Sequence, residues 1–216
     1  MAALSVLVGA AAAGCGGSAS PDPAASTAPA APATQAPSTT PSTTATTATT
    51  AAVIDLRDPT EAGRWMTIND PVMGGLSDSN VTATADGLTF AGTVSLDNNG
   101  GFASARREPD PVLGAAAAGA STVRVDATGD GKTYVVQLRT AGDPWAYIQR
   151  FATQAGVSAT YELPVDGFEP VDLFLEPAPD APAQLDPSTV DQVTIYILDK
   201  QDGPFSITLE AIELRR

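Results

Sequence analysis

The stretch VTIYILDKQDGPFSITL, residues 193–209, contains two apolar series of period two. Val193, Ile195 and Ile197 share one side of the chain, and beyond Asp202-Gly203 the same holds for Phe205, Ile207 and Leu209. Successive strand side chains point to opposite faces, so the alternation predicts two half-buried strands divided by turn residues. Outward from this pair the pattern repeats. Strands are predicted over Gln192–Asp199, Phe205–Leu214, Thr133–Thr140, Trp145–Thr153, Ala159–Leu163 and Val171–Leu175, and around Val123 and Val125. Val81–Thr84 and Leu88–Phe90 flank Asp86-Gly87, which is hairpin turn chemistry. Gly129-Asp130-Gly131 reads the same way. Gly114–Ala120 is rich in alanine but has no apolar stripe, and it is read as a loop. About ten strands with no helices between them predict an all-β domain over 53–216, a single jelly-roll β-sandwich.

The residues before it are of another kind. Residues 3–13, ALSVLVGAAAA, have the length of a signal-peptide apolar region and are too short to span a bilayer. They run into Ala12-Ala13-Gly14-Cys15, which resembles the lipobox of bacterial lipoproteins, with Cys15 as the lipid attachment site. The usual Leu is replaced by Ala12. No Lys or Arg precedes the apolar run, so the true start codon is expected upstream. The alternative is an ordinary cleaved signal peptide. Residues 16–52 are almost wholly Ala, Thr, Ser and Pro, a composition that cannot repay the entropy of ordering, and they are expected to be a disordered tether. Together, 1–15 and 16–52 predict a domain held at the cell membrane on its extracytoplasmic face.

Charge and missing residue types narrow the chemistry. The chain has no histidine, which excludes His-based triads and His-containing zinc sites. Twenty-four of its 25 acids and all 11 bases fall in 53–216, a net charge near −13 that argues against nucleic acid. DATGDGKT, 126–133, imitates a phosphate-binding loop and a calcium loop. It has Asp126 where the first glycine belongs, Gln137 where the closing Glu belongs, and a strand where a helix belongs. No nucleotide, cofactor or metal is therefore expected. Carboxylate chemistry stays open at Asp70, Asp199 and Asp202, since glycoside hydrolysis needs only two acids across a cleft. Trp65, Trp145, Tyr147, Tyr161 and Tyr196 are the aromatics that a sugar-binding face would use, although such residues more often pack a sandwich.

LDNNGGFASARR, 96–107, spends four turn-forming residues where a hairpin needs two. Gly74-Gly75 and Gly100-Gly101 strip side chains where backbone must turn or approach something closely. Asn69, Asp70, Asn98 and Asn99 set donors and acceptors beside those glycines. Either these groups satisfy one another across two loops or they face a polar ligand.

Two blocks carry a resemblance to a known family. Residues 64–77, RWMTINDPVMGGLS, hold Trp65, Asn69-Asp70, Val72-Met73-Gly74-Gly75 and Ser77. Residues 90–106 hold FAGTVSL, then Asn98-Asn99-Gly100-Gly101-Phe102-Ala103-Ser104 and Arg106. Both resemble the complex I intermediate-associated protein 30 family. Asp130-Gly131-Lys132-Thr133-Tyr134 resembles its central strand pair, and Asp199-Lys200 with Gly203-Pro204-Phe205 its closing block. The resemblance implies a galactose-binding-like jelly roll akin to carbohydrate-binding modules, with no catalytic residues. Mitochondrial members help assemble respiratory complex I; an anchor outside the cytoplasmic membrane separates this chain from that task. The expectation is a non-catalytic, membrane-anchored binding or assembly-type module with a protein partner. The alternatives are a carbohydrate-binding module for cell-wall or surface glycan and, third, a carboxylate-dependent glycan hydrolase.

Overall fold

In Thr122–Thr128, Val123, Val125 and Ala127 are fully buried and the residues between them are not. This period-two burial builds the sandwich. The computed structural model describes residues 49–216; the signal-like segment, Cys15 and the tether up to residue 48 lie outside the described residues. The strands are β1 Thr50–Asp55, β2 Trp65–Asn69, β3 Asp78–Thr84, β4 Gly87–Val94, β5 Ala103–Arg107, β6 Thr122–Thr128, β7 Thr133–Thr140, β8 Ala146–Ala152, β9 Ser158–Pro164, β10 Glu169–Val171, β11 Val190–Ile197 and β12 Gly203–Arg215. Two short helices, α1 Pro59–Ala62 and α2 Leu113–Ala117, fill the ends.

One antiparallel sheet has the order β3-β4-β12-β6-β9. The long β12 pairs with β4 through Leu209, shifts register between Leu209 and Ala211, and then pairs with β1. The second sheet runs β10-β8-β7-β11-β5-β2. Between them lies the main core, in which Phe90 and Phe205 meet edge to face with centroids 4.8 Å apart. The two alternating series at 193–209 are β11 and β12, and they lie in opposite sheets.

The second sheet has an apolar cluster on its outer face as well: Val135, Ala146, Ile148, Val171, Tyr196 and Leu198, with Phe102 and Leu175 against it. A face turned away from the core normally alternates to polar residues. This one does not.

Three local expectations are corrected. Gly114–Ala120 is not all loop, because Leu113–Ala117 forms a helical turn. A Cβ on Gly114 would stand 2.3 Å from the Ser188 carbonyl oxygen. Close docking, rather than an amphipathic stripe, holds the turn. Gly129-Asp130-Gly131 is not a hairpin turn, since β6 and β7 belong to different sheets. The Asp130 carboxylate bridges the crossing by accepting from Lys132 N and Ser206 N. The strand expected at Val171–Leu175 ends at Val171. There the Asp172 carboxylate accepts from Phe174 N and Glu176 N, a side-chain turn that competes with the ladder. By contrast, Asp86-Gly87 does close the β3–β4 hairpin, with Thr84 opposite Gly87.

Phe90 is fully buried at the centre of the core. Phe90→Ala is expected to cost about 3–5 kcal/mol through lost burial and the cavity left behind. A urea unfolding series should show the midpoint falling with an unchanged slope.

Candidate functional site

Asn69-Asp70 ends β2, and the next residues cross to the other sheet. Pro71 fixes its backbone angle at the start of a tight 3₁₀ turn, Asp70–Met73, which Gly74 closes in the left-handed region (φ 93°). The chain from β4 to β5 crosses between the same two sheets in the opposite direction, through the turn Asp97–Asn99. The Asp70 side chain, 1% exposed, stands between the two crossings.

Its carboxylate accepts four hydrogen bonds. Ser77 donates its N–H (2.8 Å) and its hydroxyl (2.5 Å), and Gly101 N (2.7 Å) and Phe102 N (3.2 Å) donate from the other loop. Ser77 Oγ in turn accepts from Ser95 N at 2.9 Å. Burial by itself would raise the carboxyl pKa, but the Ser77 hydroxyl and the three backbone N–H groups outweigh it and hold Asp70 below the ordinary carboxylate range. The glycines fit this arrangement closely. A Cβ on Gly75 would lie 2.4 Å from Asp70 Cγ, and one on Gly100 would lie 2.5 Å from the Ser95 carbonyl oxygen and 2.8 Å from Asp70 Oδ2.

The signature residues thus separate into groups. Asp70, Gly75, Ser77, Gly100, Gly101 and Phe102 form the corner just described. Asn69 turns to the β2–β3 side, its amide 2.7 Å from Ser79 Oγ. Trp65 is buried in the core. Asn98 and Asn99 do not join the corner: both are exposed, both have left-handed backbone (φ 54° and 61°), and neither side chain hydrogen-bonds among the described residues. Arg106 projects from the outer face of the second sheet, donating to Tyr196 Oη at 3.1 Å. Of the five sugar-face aromatics, Trp65 and Tyr147 are buried, Trp145 and Tyr161 pack against the core, and Tyr196 lies on the outer face.

Beside the corner a groove of about 420 Å³ opens over the outer apolar cluster. Phe102, Tyr196, Ile148 and Leu198 line it, with Met73 and Asn99 on one side and Leu173–Glu176 on the other. Asp199 and Lys200 also line it. The Asp199 carboxylate takes a two-pronged bond from Arg150, at 2.8 and 2.9 Å. These bonds from Arg150 outweigh partial burial and lower the Asp199 pKa. Met73, Leu173 and Phe174 are 66%, 63% and 73% exposed.

Among the described residues five non-glycine residues have positive φ: Asn98, Asn99, Leu175, Asp199 and Lys200. Four of them line this groove and Asn98 adjoins it. The Leu173–Glu176 wall escaped the sequence reading because its apolar run imitates a strand. The turn signal was Asp172.

A model of the complex I intermediate-associated protein 30 (CIA30) family matches residues 54–209, most of the chain. The chain belongs to that family. No curated sequence matches it. Among solved structures it is similar to a family 11 carbohydrate-binding module of the cellulosomal cellulase Lic26A-Cel5E of Clostridium thermocellum. That match has 14% identity, covers 71% of this chain and 88% of the module, and has a TM-score of 0.50. A family 11 module from the same organism, in complex with a β-1,3-1,4-mixed-linked tetrasaccharide, aligns at 14% identity over 69% of this chain and 88% of that one, TM-score 0.47. An exo-β-agarase aligns at 7% identity over 73% of this chain but 24% of the enzyme, TM-score 0.45. At such identities the likeness concerns the fold alone, a sandwich of two antiparallel sheets.

Asp70→Asn turns an amide donor toward donors and is expected to destabilise the domain by about 2–4 kcal/mol at pH 7. The folded pKa lies below the unfolded value of about 3.9, so the carboxylate's contribution is present above that pH and is lost as pH falls through the folded pKa. Thermal melts should therefore show the gap between the native chain and Asp70→Asn narrowing from pH 7 to pH 3. A gap independent of pH would contradict the assignment.

Proposed function

We propose that this chain is a non-catalytic binding module whose groove takes a segment of a protein partner. In this reading a lipid on Cys15 and the tether that precedes β1 hold the domain at the extracytoplasmic face of the cell membrane; the tether expected over 16–52 stops short of its last residues, because β1 starts at Thr50 and Ala52 is buried in the core. The observation that carries the groove is its concentration of left-handed backbone. A side-chain-bearing residue pays roughly 1–2 kcal/mol in that conformation, and Leu175 and Lys200 lack the short polar side chain that eases it. Strain of this kind persists where the surroundings enforce it, and it gathers at binding sites.

Rim chemistry supports a protein partner. Met73, Leu173 and Phe174 are exposed together around the groove, whereas neither tryptophan offers a stacking platform. Asp70 and Asp199 are both held as carboxylates by their donors. A glycosidase acid needs its pKa raised instead, which supports a binding role over hydrolysis. A glycan is the second reading. Asn99 and the Phe102 ring lie in the groove, and the similar family 11 modules are named as carbohydrate-binding.

A photo-crosslinking residue placed at Phe174 in the full chain, in intact membranes, is expected to capture a discrete protein adduct. The same residue at Thr82, on the outer face of the other sheet, should not. Retardation of the domain in polysaccharide gels without any adduct would replace the protein reading with the glycan one. Mass spectrometry of the mature N-terminus tests the anchor, and an unmodified Cys15 or cleavage elsewhere removes it.

A further inference from the structure

The outer face of the second sheet continues past the groove into a patch of different chemistry. Arg106 on β5, Thr194 on β11 and Gln137 on β7 stand opposite one another in register. Their neighbours Ala105, Ile195 and Val136 fill the core, so all three project outward. Thr194 and Gln137 are nonetheless buried, at 0% and 3% exposure. Thr194 Oγ1, Gln137 Oε1 and Arg106 Nε are shielded from solvent and have no hydrogen-bond partner among the described residues. Three such atoms in one transverse row form an unfilled set of one donor, one acceptor and one hydroxyl. Buried polar groups are ordinarily paired.

Charge marks the same place. Arg139 is two residues along β7 from Gln137 and shares its face. Neither Arg106 nor Arg139 has a carboxylate partner among the described residues, whereas Arg57, Arg64, Arg107, Arg124 and Arg150 all do. β5 and β7 contain no Asp or Glu, and β11 has none after Asp191. On the outer face of the other sheet the bases are matched, Arg124 with Asp126 and Arg57 with Glu210, and on the second sheet the acid Glu169 stands on β10, at the far edge from Arg106.

We infer that the Arg106–Arg139 patch binds a carboxylate of the same protein segment that occupies the groove, so the partner sequence is acidic beside its apolar anchor. The inference rests on the protein-binding reading of the groove. Guanidinium groups without a counter-charge are matched by carboxylates in charge-assisted, often two-pronged bonds. Tyr196 joins the two halves: its ring packs 6.2 Å from that of Phe102 in the groove, and its hydroxyl meets Arg106. The partner's carboxylate supplies the acceptor that Arg106 Nε lacks, and a backbone N–H supplies the donor for Gln137 Oε1. Because these atoms are shielded in the free protein, docking rotates side chains at the patch. From β10 to β5 the sheet is five strands wide, roughly 19 Å at the usual spacing, enough for about six extended residues.

Panning a random peptide display library on the domain, residues 49–216 behind its tether, tests this directly. The native chain is expected to select peptides with Asp or Glu enriched at least threefold over the naive library at one position near an apolar residue. R106Q/R139Q should abolish the acidic enrichment and keep the apolar one, while Phe174→Ala should lose the apolar one. Thermal melts confirm that both variants fold. Apolar enrichment without acidic enrichment overturns this inference and leaves the protein-binding groove standing. Acidic enrichment that survives R106Q/R139Q overturns the assignment to this patch. No selected peptide at all, with the domain retained by polygalacturonate, overturns both readings in favour of an acidic glycan; no peptide and no retention overturns both outright.

Discussion

One carboxylate fixes the corner on which the rest of the molecule depends. β2 and β3 lie in different sheets, as do β4 and β5, so two connections must cross between layers at the same end. Each crossing frees backbone N–H groups from any ladder, and buried N–H groups need acceptors. Asp70 supplies both from one side chain, taking Ser77 N from one crossing and Gly101 N and Phe102 N from the other. An ionised carboxylate is the fitting acceptor, since its two oxygens accept several bonds and carry no proton to misplace. The glycines follow as a consequence: at Gly75 and Gly100 a Cβ would occupy space already taken by the carboxylate or by the Ser95 carbonyl.

A rigid corner lets its surroundings be strained. Asn98 and Asn99 follow directly from the anchored crossing, and Asp199 and Lys200 follow the end of β11, the strand paired with β5. With β5 tied down through Gly101 and Phe102, loops on this side can hold left-handed residues that a looser frame would let relax. The apolar cluster on the outer face belongs to the same economy. Val135, Ile148 and Tyr196 are buried there without a second layer of sheet, covered by Phe102, Leu175 and one another. The groove is where that covering stops.

The fold was legible where a single physical rule governs. Period-two alternation places β11 and β12, and Asp-Gly chemistry places the β3–β4 hairpin, because both depend on local geometry. Gly129-Asp130-Gly131 shows the limit. Its residues permit a reversal, but whether the chain returns to its own sheet or crosses is decided by packing far along the sequence. Leu173-Phe174-Leu175 shows another: alternation favours a strand, yet the Asp172 side chain offers the backbone a competing turn. At the site, the sequence set the two glycine pairs beside polar neighbours that either bond to one another across two loops or face a ligand. It could not show that Asp70 is the acceptor joining the two loops while Asn98 and Asn99 face outward, since Asp and Asn both suit tight loops.

This division separates what the family resemblance encodes from what would select a ligand. Asp70, Gly75, Ser77, Gly100 and Gly101 are spent on joining two loops, with their polar atoms or bare backbones turned inward. In this chain the signature builds the corner that joins the two sheets. The groove beside the corner is walled by other residues: Leu173–Glu176, the Arg150–Asp199 pair and Lys200. The two meet at Phe102, whose N–H donates to Asp70 while its ring lines the groove. The likeness to a carbohydrate-binding module concerns the frame, and the complex I intermediate-associated protein 30 match concerns the sequence that builds its corner.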